Sequence, residues 1–459
     1  MNFTSPLTTQ AKPRQQRSKH SALSILGACG LVTCLSTIAM ASTPTSQSMD
    51  GMQQTPPARD AQVTFKNYRD YPYNRWAFRN INAPFATLSI PREGAVTPLK
   101  ETPMPELSQL TLTDGFGKSN NVGQILETND TDGFVVLRDN TVLFERYFGG
   151  MNRHDQHIWF SATKSLVSTA LGILVDQGKI DLQASPADYI EELKGSGFER
   201  TTIQNVLNHS SAIDFKENYT DLNADFLKHY APALNMGYVP GGRDAQPEAS
   251  DIYGVHDFLG RFVKNDNQLK PGEAFDYNST NADVAGWLIA RVSGMPLHDF
   301  LQKNIWSKLG TEHDALIAAD RAFRAVATGG MTTSTRDAAL FGQMILNRGK
   351  VGDQQVVPAA WVDASLELSP HDLHKMKTNK KYQDNSWTAY KNMWWIIDAD
   401  QGEYAAVGVH GQVIYINRSA NLVIAYFSSQ PTASAARNPQ FQSKLFAAQA
   451  IAKALTDKR

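Results

Sequence analysis

Stretches rich in β-branched and aromatic residues lie near both ends of this chain, and they constrain its fold more than any other feature. Residues 134–137 and 141–147 form one candidate hairpin, and residues 413–416 and 422–427 form a second. Helical spacing of apolar residues fills much of the sequence between them. We therefore expect an α+β fold, in which an antiparallel or mixed sheet draws strands from both ends and is flanked by helices.

The candidate helices between and after these hairpins define the rest of the expected architecture. They cover residues 166–175, 284–292, 300–309, 336–346 and 441–455. Gly178 is a candidate C-cap for the first of them. We expect a mostly helical subdomain to be inserted at about residues 179–328, and the active cleft to lie between the two parts.

The first 41 residues have the pattern of a secretory signal peptide. Basic residues precede residue 20, and an apolar stretch then ends in Ala39-Met40-Ala41. The alternatives are a membrane anchor, which polar residues in the stretch disfavour, and a lipoprotein signal at Cys29, which the apolar residues after it disfavour. We expect an exported protein, periplasmic or secreted, with no stable membrane span after cleavage.

Cleavage would leave a flexible spacer at residues 42–64 and a folded domain at residues 65–459. Both cysteines leave with the leader, so this domain relies on its core and has no thiol nucleophile. The chain is 42% hydrophobic and 19% charged, which excludes a disordered protein. Its net charge of −1 provides no basic field for nucleic acid.

The tetrapeptide Ser161-Ala162-Thr163-Lys164 is the most informative motif for chemistry. Positions i and i+3 of a helix share one face, so Lys164 lies beside the Ser161 hydroxyl. A serine needs a base to become a nucleophile, and a lysine serves only when burial or a neighbouring group lowers its pKa. The alternative is a helix-capping serine with a lysine that faces solvent.

Two further motifs complete a possible acyl-transfer site. Tyr277, in Tyr277-Asn278-Ser279, precedes a predicted helix and can relay a proton between Ser161 and a leaving group. Alternatively, Ser279 or Thr280 only caps this helix, with Tyr277 packed against it. Gly408-Val409-His410-Gly411-Gln412 enters a predicted strand, where the amide of Val409, or else of Gln412, can join that of Ser161 as an oxyanion donor. The glycines alternatively only shape a bulge, and His410 is either a substrate contact or a structural residue.

With these motifs in this order, the chain resembles the serine β-lactamase and penicillin-binding protein superfamily. Within it, the chain is similar to the class C-like branch that also holds family VIII-type carboxylesterases and 6-aminohexanoate-dimer hydrolases. The resemblance extends from about residue 65 to residue 453 and includes the segments at residues 132–147, 157–166, 178–182, 214–221, 328–337 and 394–395.

The resemblance implies a role for each matching position. Ser161 would be the acylated nucleophile, Lys164 its base partner and Tyr277 the tyrosine that relays protons. Ser279 would stand where lactamases of this class carry an asparagine, and Tyr219 would be a tyrosine that faces the substrate. No Lys-Thr-Gly, Lys-Ser-Gly, His-Thr-Gly or Ser-Asp-Asn occurs, which argues against antibiotic hydrolysis and favours esters or linear amides.

The sequence predicts neither a metal nor a cofactor. His154 and His157, and likewise His371 and His374, have His-x-x-His spacing, but no acidic or cysteine cluster accompanies either pair.

We therefore expect a serine hydrolase that cleaves a small ester or linear amide through an acyl-enzyme on Ser161. The alternatives are a weak β-lactamase or D-amino-acid peptidase, and a non-catalytic protein that binds a cell-wall or peptide ligand. No sequence feature sets the oligomeric state.

Overall fold

A computed structural model describes residues 52, 56–219, 221, 223–236, 251–379, 382, 387–433 and 438–457. The predicted signal peptide, residues 1–41, lies outside these residues, as does part of the predicted spacer. All the described residues belong to one compact unit. Within them, no helix combines the length and the apolar character needed to cross a membrane.

The strands alternate with helices along the chain. The strands are β1 (Thr87–Ile90), β2 (Lys100–Glu101), β3 (Thr111–Thr113), β4 (Ser119–Asn121), β5 (Thr131–Arg138), β6 (Thr141–Tyr147), β7 (Gln156–Ile158), β8 (Ile213–Asp214), β9 (Lys264–Asn265), β10 (Ala315–Ala318), β11 (Met331–Ser334), β12 (Lys350–Val351), β13 (Gln354–Gln355), β14 (Ala389–Lys391), β15 (Trp394–Asp398), β16 (Glu403–Gly408), β17 (Gln412–Asn417) and β18 (Leu422–Ser428).

The helices are α1 (Tyr73–Ala77), α2 (Val122–Thr128), α3 (Thr163–Asp176), α4 (Pro186–Tyr189), α5 (Ile203–Leu207), α6 (Ala231–Ala233), α7 (Gly254–Phe262), α8 (Thr280–Ser293), α9 (Leu297–Asn304), α10 (Thr335–Leu346), α11 (Ala359–Ala364), α12 (Pro370–Thr378) and α13 (Pro439–Thr456). Short 3-10 turns add to these, among them Phe160–Ala162 and Val409–Gly411.

The main sheet joins the two ends of the chain, as the hairpins predict. Its order is β14-β15-β16-β17-β18-β5-β6-β2, with β18 antiparallel to β5 through pairs such as Ala425 with Val135. Only the short edge pair β2–β6 is parallel among the described pairings of this sheet. The predicted α+β class with an antiparallel sheet is therefore confirmed.

Helices cover both faces of this sheet. On one face α10 comes so close to β18 that a Cβ at Gly342 would lie 2.6 Å from Val423. On the other face Lys444 of α13 lies 4.5 Å from the centroid of the Tyr426 ring. Val423 and Tyr426 are three residues apart, and side chains at that spacing in a strand point to opposite faces.

A second sheet, of order β1-β10-β11-β7, carries the chain into the region of Ser161. Between residues 179 and 328 most of the described elements are helices, from α4 to α9. Of these, α8 packs against α3, the helix that follows Ser161. The two sheets and the helical part thus meet around Ser161.

Candidate active site

Ser161 lies where an edge strand turns into a helix. Strand β7 pairs with β11, and the Trp159 backbone extends this contact by donating to the Met331 carbonyl at 2.8 Å. Phe160 then has a φ of +44°, a left-handed conformation that is rare for a bulky residue. Ser161 follows in the 3-10 turn, and α3 begins at Thr163. The N-cap residue of α3 is Ala162, so Ser161 is partly exposed at the helix entrance without capping it.

Lys164 is buried directly beneath this serine. Its side chain is 1% exposed, and its Nζ lies 2.9 Å from the Ser161 Oγ and 2.7 Å from the Thr328 carbonyl oxygen. The solvent-facing alternative for this lysine is therefore wrong. Burial lowers the pKa of Lys164 to about 8, although the carboxylates of Glu217 and Asp283 act in the opposite direction. A substantial neutral fraction at mildly alkaline pH can accept a proton from the serine.

The hydroxyl of Tyr277 completes the group around Ser161. Its ring centroid lies 5.3 Å from the Lys164 Nζ, and the ring stacks on Trp395 at 5.6 Å. Burial raises the pKa of Tyr277, and a hydrogen bond with Ser161 acts against that rise. The three residues singled out from the sequence, which come from two distant segments, are thus brought together.

Asn278, not Ser279, fixes the loop that carries Tyr277. The Asn278 side chain donates to the Phe215 carbonyl at 2.7 Å and accepts from the Thr280 backbone at 3.2 Å. Ser279 occupies the N-cap position of α8 without a capping bond from its side chain, so the capping alternative does not hold for it. Ser279 and Ser161 both line a small cavity.

Glu217 is a site residue to which the sequence motifs assigned no role. Its carboxylate accepts hydrogen bonds from the Ser279 backbone and, at 3.0 Å, from the Tyr219 hydroxyl. It also faces the Lys164 charge. Its alternation with Tyr219, two residues later, is the signal that would have pointed to it, because such residues share one side of an extended segment.

Asp283 lies behind Lys164. It accepts from the Tyr230 hydroxyl at 2.6 Å and from the Thr328 amide at 3.2 Å, while the Thr328 carbonyl accepts from Lys164. Burial raises the pKa of Asp283. This carboxyl group therefore holds Thr328, the residue whose carbonyl group accepts from Lys164.

Gly408 allows β16 to approach Ser161 closely. A Cβ at this position would lie 2.2 Å from the Trp159 carbonyl oxygen, so only glycine fits. Val409 follows at the cavity wall, next to Ser161. Val409 and Ser161 thus line the same two cavities, and the role of the Val409 amide as an oxyanion donor stays a prediction.

The structure does not bring His410 to the cavity wall. It is 3% exposed, its Nδ1 hydrogen-bonds the Gln430 carbonyl oxygen at 2.7 Å, and its ring packs against Phe78 and Phe160. Burial lowers the pKa of His410 to about 3, so the ring stays neutral. Of the two roles that the sequence left open, the structural one fits these contacts.

Buried polar side chains hold residues 409–412, which we call the 409–412 turn. The side-chain amide of Gln412 donates to the Val409 carbonyl at 3.2 Å. The Ser428 hydroxyl lies within donating distance of the carbonyls of His410 and Gly411, at 3.0 and 2.9 Å. Lys444 bonds Ser428 and donates to the Gly411 carbonyl at 3.2 Å. These contacts fix the direction of the backbone around Val409.

Ser161 lies at the junction of two cavities. The larger, of about 580 Å³, has walls that include Glu217, Tyr219, Tyr277, Trp395 and Val409. The smaller, of about 60 Å³, extends to Arg69 and Ser279. A separate cavity of about 980 Å³ is lined by residues of α7 and α8, and neither Ser161 nor Tyr277 is among its lining residues. Size alone would have pointed away from the reactive groups.

Comparison with known proteins agrees with this arrangement. The Beta-lactamase family profile matches residues 121–449. The 6-aminohexanoate-dimer hydrolase of Paenarthrobacter ureafaciens is 30% identical over 377 residues, which cover 82% of this chain and 90% of that protein. The solved structure of a "putative 6-aminohexanoate-dimer hydrolase" from Bacillus anthracis is 25% identical with a TM-score of 0.76, and the match covers 87% of this chain and 98% of that chain.

A more distant structure supports the fold alone. A family VIII carboxylesterase is 15% identical with a TM-score of 0.51, and the match covers 79% of this chain and 99% of that chain. The matches together show a hydrolase of the β-lactamase superfamily. This chain therefore belongs to the β-lactamase family, as a homologue of the 6-aminohexanoate-dimer hydrolases.

Proposed function

We propose that this chain is a serine hydrolase that cleaves an ester or a linear amide through an acyl-enzyme on Ser161. The observation that carries the proposal is the 2.9 Å contact between the Ser161 Oγ and the buried Lys164 Nζ. A buried amine with a lowered pKa beside an accessible hydroxyl is the arrangement that serine activation needs.

In the proposed acylation step, the Ser161 oxygen attacks the substrate carbonyl while its proton passes to neutral Lys164. The developing oxyanion accepts hydrogen bonds from the backbone amides of Ser161 and Val409. Tyr277 relays the proton to the leaving alcohol or amine, and the carbon–heteroatom bond breaks. The serine is then esterified, and the leaving group departs neutral.

Deacylation reverses these roles with water as the nucleophile. The Lys164–Tyr277 pair takes a proton from the water as the water oxygen bonds to the acyl carbon. The ester bond to the Ser161 Oγ then breaks, the proton passes to that oxygen, and the acid leaves. The Tyr277 ring is held between Trp395 and His209, at 5.6 and 4.6 Å. This packing keeps the phenol positioned through both steps.

Two features favour linear substrates: the absence of a lysine motif beside Ser161 and the residues that line the larger cavity. The motifs Lys-Thr-Gly, Lys-Ser-Gly and His-Thr-Gly are absent, so the cationic side chain that meets a β-lactam carboxylate is missing from the strand beside Ser161. Aromatic side chains, including Trp387 and Trp395, form one wall, and Glu217 and Tyr219 offer polar contacts on another. An extended chain with apolar methylene groups and one central amide or ester fits such a wall.

The proposal is tested with a fluorophosphonate probe and intact-mass spectrometry. We expect one adduct on the unmodified chain, formed when Ser161 displaces fluoride, and none on Ser161→Ala. Ser168→Ala, two turns further along α3 and fully buried, is the matched control and should be labelled normally. Equal labelling of the unmodified chain and Ser161→Ala would overturn the assignment.

Turnover of three substrate types then separates the candidate activities. We expect p-nitrophenyl esters and a linear dimer of 6-aminohexanoate to be hydrolysed, with Ser161→Ala slower by roughly 10⁴-fold or more. Preferential turnover of nitrocefin would instead indicate a β-lactamase. Binding without turnover of any of them would indicate a non-catalytic binding protein.

A further inference from the structure

Two loops that are far apart in sequence bring two imidazoles and a carboxylate together on the surface. His154 Nδ1 and His313 Nε2 lie 3.1 Å apart, although 159 positions separate them. A ligand atom of Glu312 lies within 4.8 Å of both. We propose that His154, Glu312 and His313 bind a divalent transition-metal ion such as Zn²⁺, which ties these two loops together.

The spacing of the ligand atoms suits a metal ion. Two nitrogens that each lie about 2.0–2.1 Å from a tetrahedral zinc are about 3.3 Å apart, close to the distance between these two rings. Two imidazoles and one carboxylate are ligands that zinc and its neighbours accept, with water in the fourth position. Calcium and magnesium prefer sites built from oxygen alone.

Asp337 fixes the tautomer that such a site requires. Its buried carboxylate lies 3.2 Å from the His313 Nδ1 and also accepts the backbone N–H groups of Glu312 and His313. A proton held on Nδ1 by this carboxylate leaves a lone pair on Nε2 that points at the His154 Nδ1, and a bound metal ion would replace the hydrogen bond between these two nitrogens. A carboxylate behind a metal-binding histidine is a recurring arrangement in zinc sites.

The charge around the cluster also favours a divalent cation. In the described part of the chain, the ion-pair network contains four carboxylates, those of Glu101, Glu145, Glu312 and Asp337. Two guanidinium groups, those of Arg153 and Arg336, face them. With neutral histidines, two formal negative charges remain, and one divalent ion balances them.

The two arginines leave room for the metal at Glu312. Arg336 lies 3.5 Å from one carboxylate oxygen and Arg153 lies 3.7 Å from the other. Both separations are longer than a close charge-assisted hydrogen bond. Each oxygen therefore retains a lone pair that can enter a coordination sphere.

The proposed site is structural. His154 stands two residues before β7, the strand that leads to Ser161, and His313 stands two residues before β10 in the same four-stranded sheet. An ion at this point would join the entrances of two strands without touching either reactive cavity. We therefore expect metal binding to raise thermal stability and to leave hydrolysis unchanged.

The test is a titration of the purified, chelator-treated full chain with ZnCl₂, followed by calorimetry and thermal unfolding. We expect one zinc per chain and a melting temperature that rises by roughly 2–4 °C at saturating zinc. Co²⁺ in place of zinc should give visible absorption typical of bound imidazole nitrogen. His154→Ala and His313→Ala should each lose the shift and the absorption.

A double variant at another histidine pair is the matched control. His371→Ala with His374→Ala removes two exposed histidines at His-x-x-His spacing on α12, and it should bind zinc as the unmodified chain does. No zinc binding by the unmodified chain at 100 µM metal would overturn the proposal. So would binding that persists in both His154→Ala and His313→Ala, or that disappears only in the double variant.

Discussion

Among single residues, Lys164 matters most for the proposed activation of Ser161. It accepts a proton only when neutral, and burial lowers its pKa to about 8. Below this pH the lysine is charged and cannot act as a base. The rate of hydrolysis should therefore rise as the pH increases through the pKa of Lys164.

We predict that kcat/KM for an ester substrate increases about tenfold per pH unit on the acidic side and levels off above about pH 8. Lys164→Arg should be inactive across the range, because a guanidinium stays protonated. Lys179→Arg, an exposed lysine just beyond α3, is the control and should keep the unmodified profile. A pH-independent rate between pH 6 and pH 9 would contradict the proposed role of Lys164.

The residues that could be predicted from sequence are those whose partners lie on the same short segment or in a recognisable motif. Lys164 follows Ser161 by three positions, so helical geometry alone places them together. Tyr277 could be predicted from the motif Tyr277-Asn278-Ser279 and from the resemblance of the chain to the superfamily. Asp283 could not, because its contacts with the site depend on how distant segments pack, and for Glu217 the sequence offered only its alternation with Tyr219.

The direction in which a side chain points also could not be predicted from the sequence. Val409 and His410 are adjacent, yet one borders the cavity and the other is buried behind it. His410 has a φ of +60°, and this local backbone turn decides which residue faces Ser161. Sequence spacing carries no such information.

Among the structural elements, the 409–412 turn contributes most to the proposed oxyanion site. Its carbonyl groups are held by Ser428 and Lys444, which lie outside the cavities. Burial lowers the pKa of Lys444 to about 7, so this amine need not carry a full charge. We regard both as residues that position the backbone and do not touch the substrate.

We predict that Ser428→Ala and Lys444→Met each lower kcat by roughly 10- to 100-fold with little change in KM. A displaced oxyanion donor weakens only the transition state, and complete loss of one costs about 10²–10³-fold. Lys453→Met, on the exposed face of α13, is the control. Urea unfolding shows whether the variants remain folded, and a rise in KM at constant kcat would argue against positioning.

Secondary structure was predicted best where the pattern was long and regular. The hairpin β5–β6 and helices α3, α8 and α10 occur where the apolar periodicity predicted them. The helix expected at residues 300–309 ends earlier, at Asn304, and a 3-10 turn follows at Trp306–Lys308. Periodicity continues through such a turn, so the boundary was not visible in the pattern.

At the scale of the whole molecule, α1 contacts residues next to two strands of the main sheet, at the start of β5 and just after β18. Asn74 donates to the Ser429 carbonyl at 3.0 Å, and Arg75 lies 3.4 and 3.5 Å from the carboxylates of Asp130 and Asp132. Asp132 is fully buried and also faces His157 at 3.2 Å. Sequence patterns predict the strands, but not this convergence of charges.

We predict that Arg75→Ala lowers the free energy of unfolding by about 3 kcal/mol, because it leaves a buried carboxylate without its cation. Arg92→Ala, an exposed arginine further along the same region, should change it by less than about 0.5 kcal/mol. Urea denaturation of both variants provides the measurement. Equal effects would show that the charge of Arg75 is not what stabilises this junction.

The lack of a side chain at Gly408 limits which walls of the active site can change during evolution. Any larger residue there would push β16 away from the segment before Ser161, so that wall cannot be remodelled without losing the nucleophile's position. The opposite wall, around Glu217 and Tyr219, is not pinned in this way. Directed evolution toward new acyl chains should therefore accumulate its substitutions at Asn218 and Tyr219, which line the larger cavity, and leave residue 408 untouched.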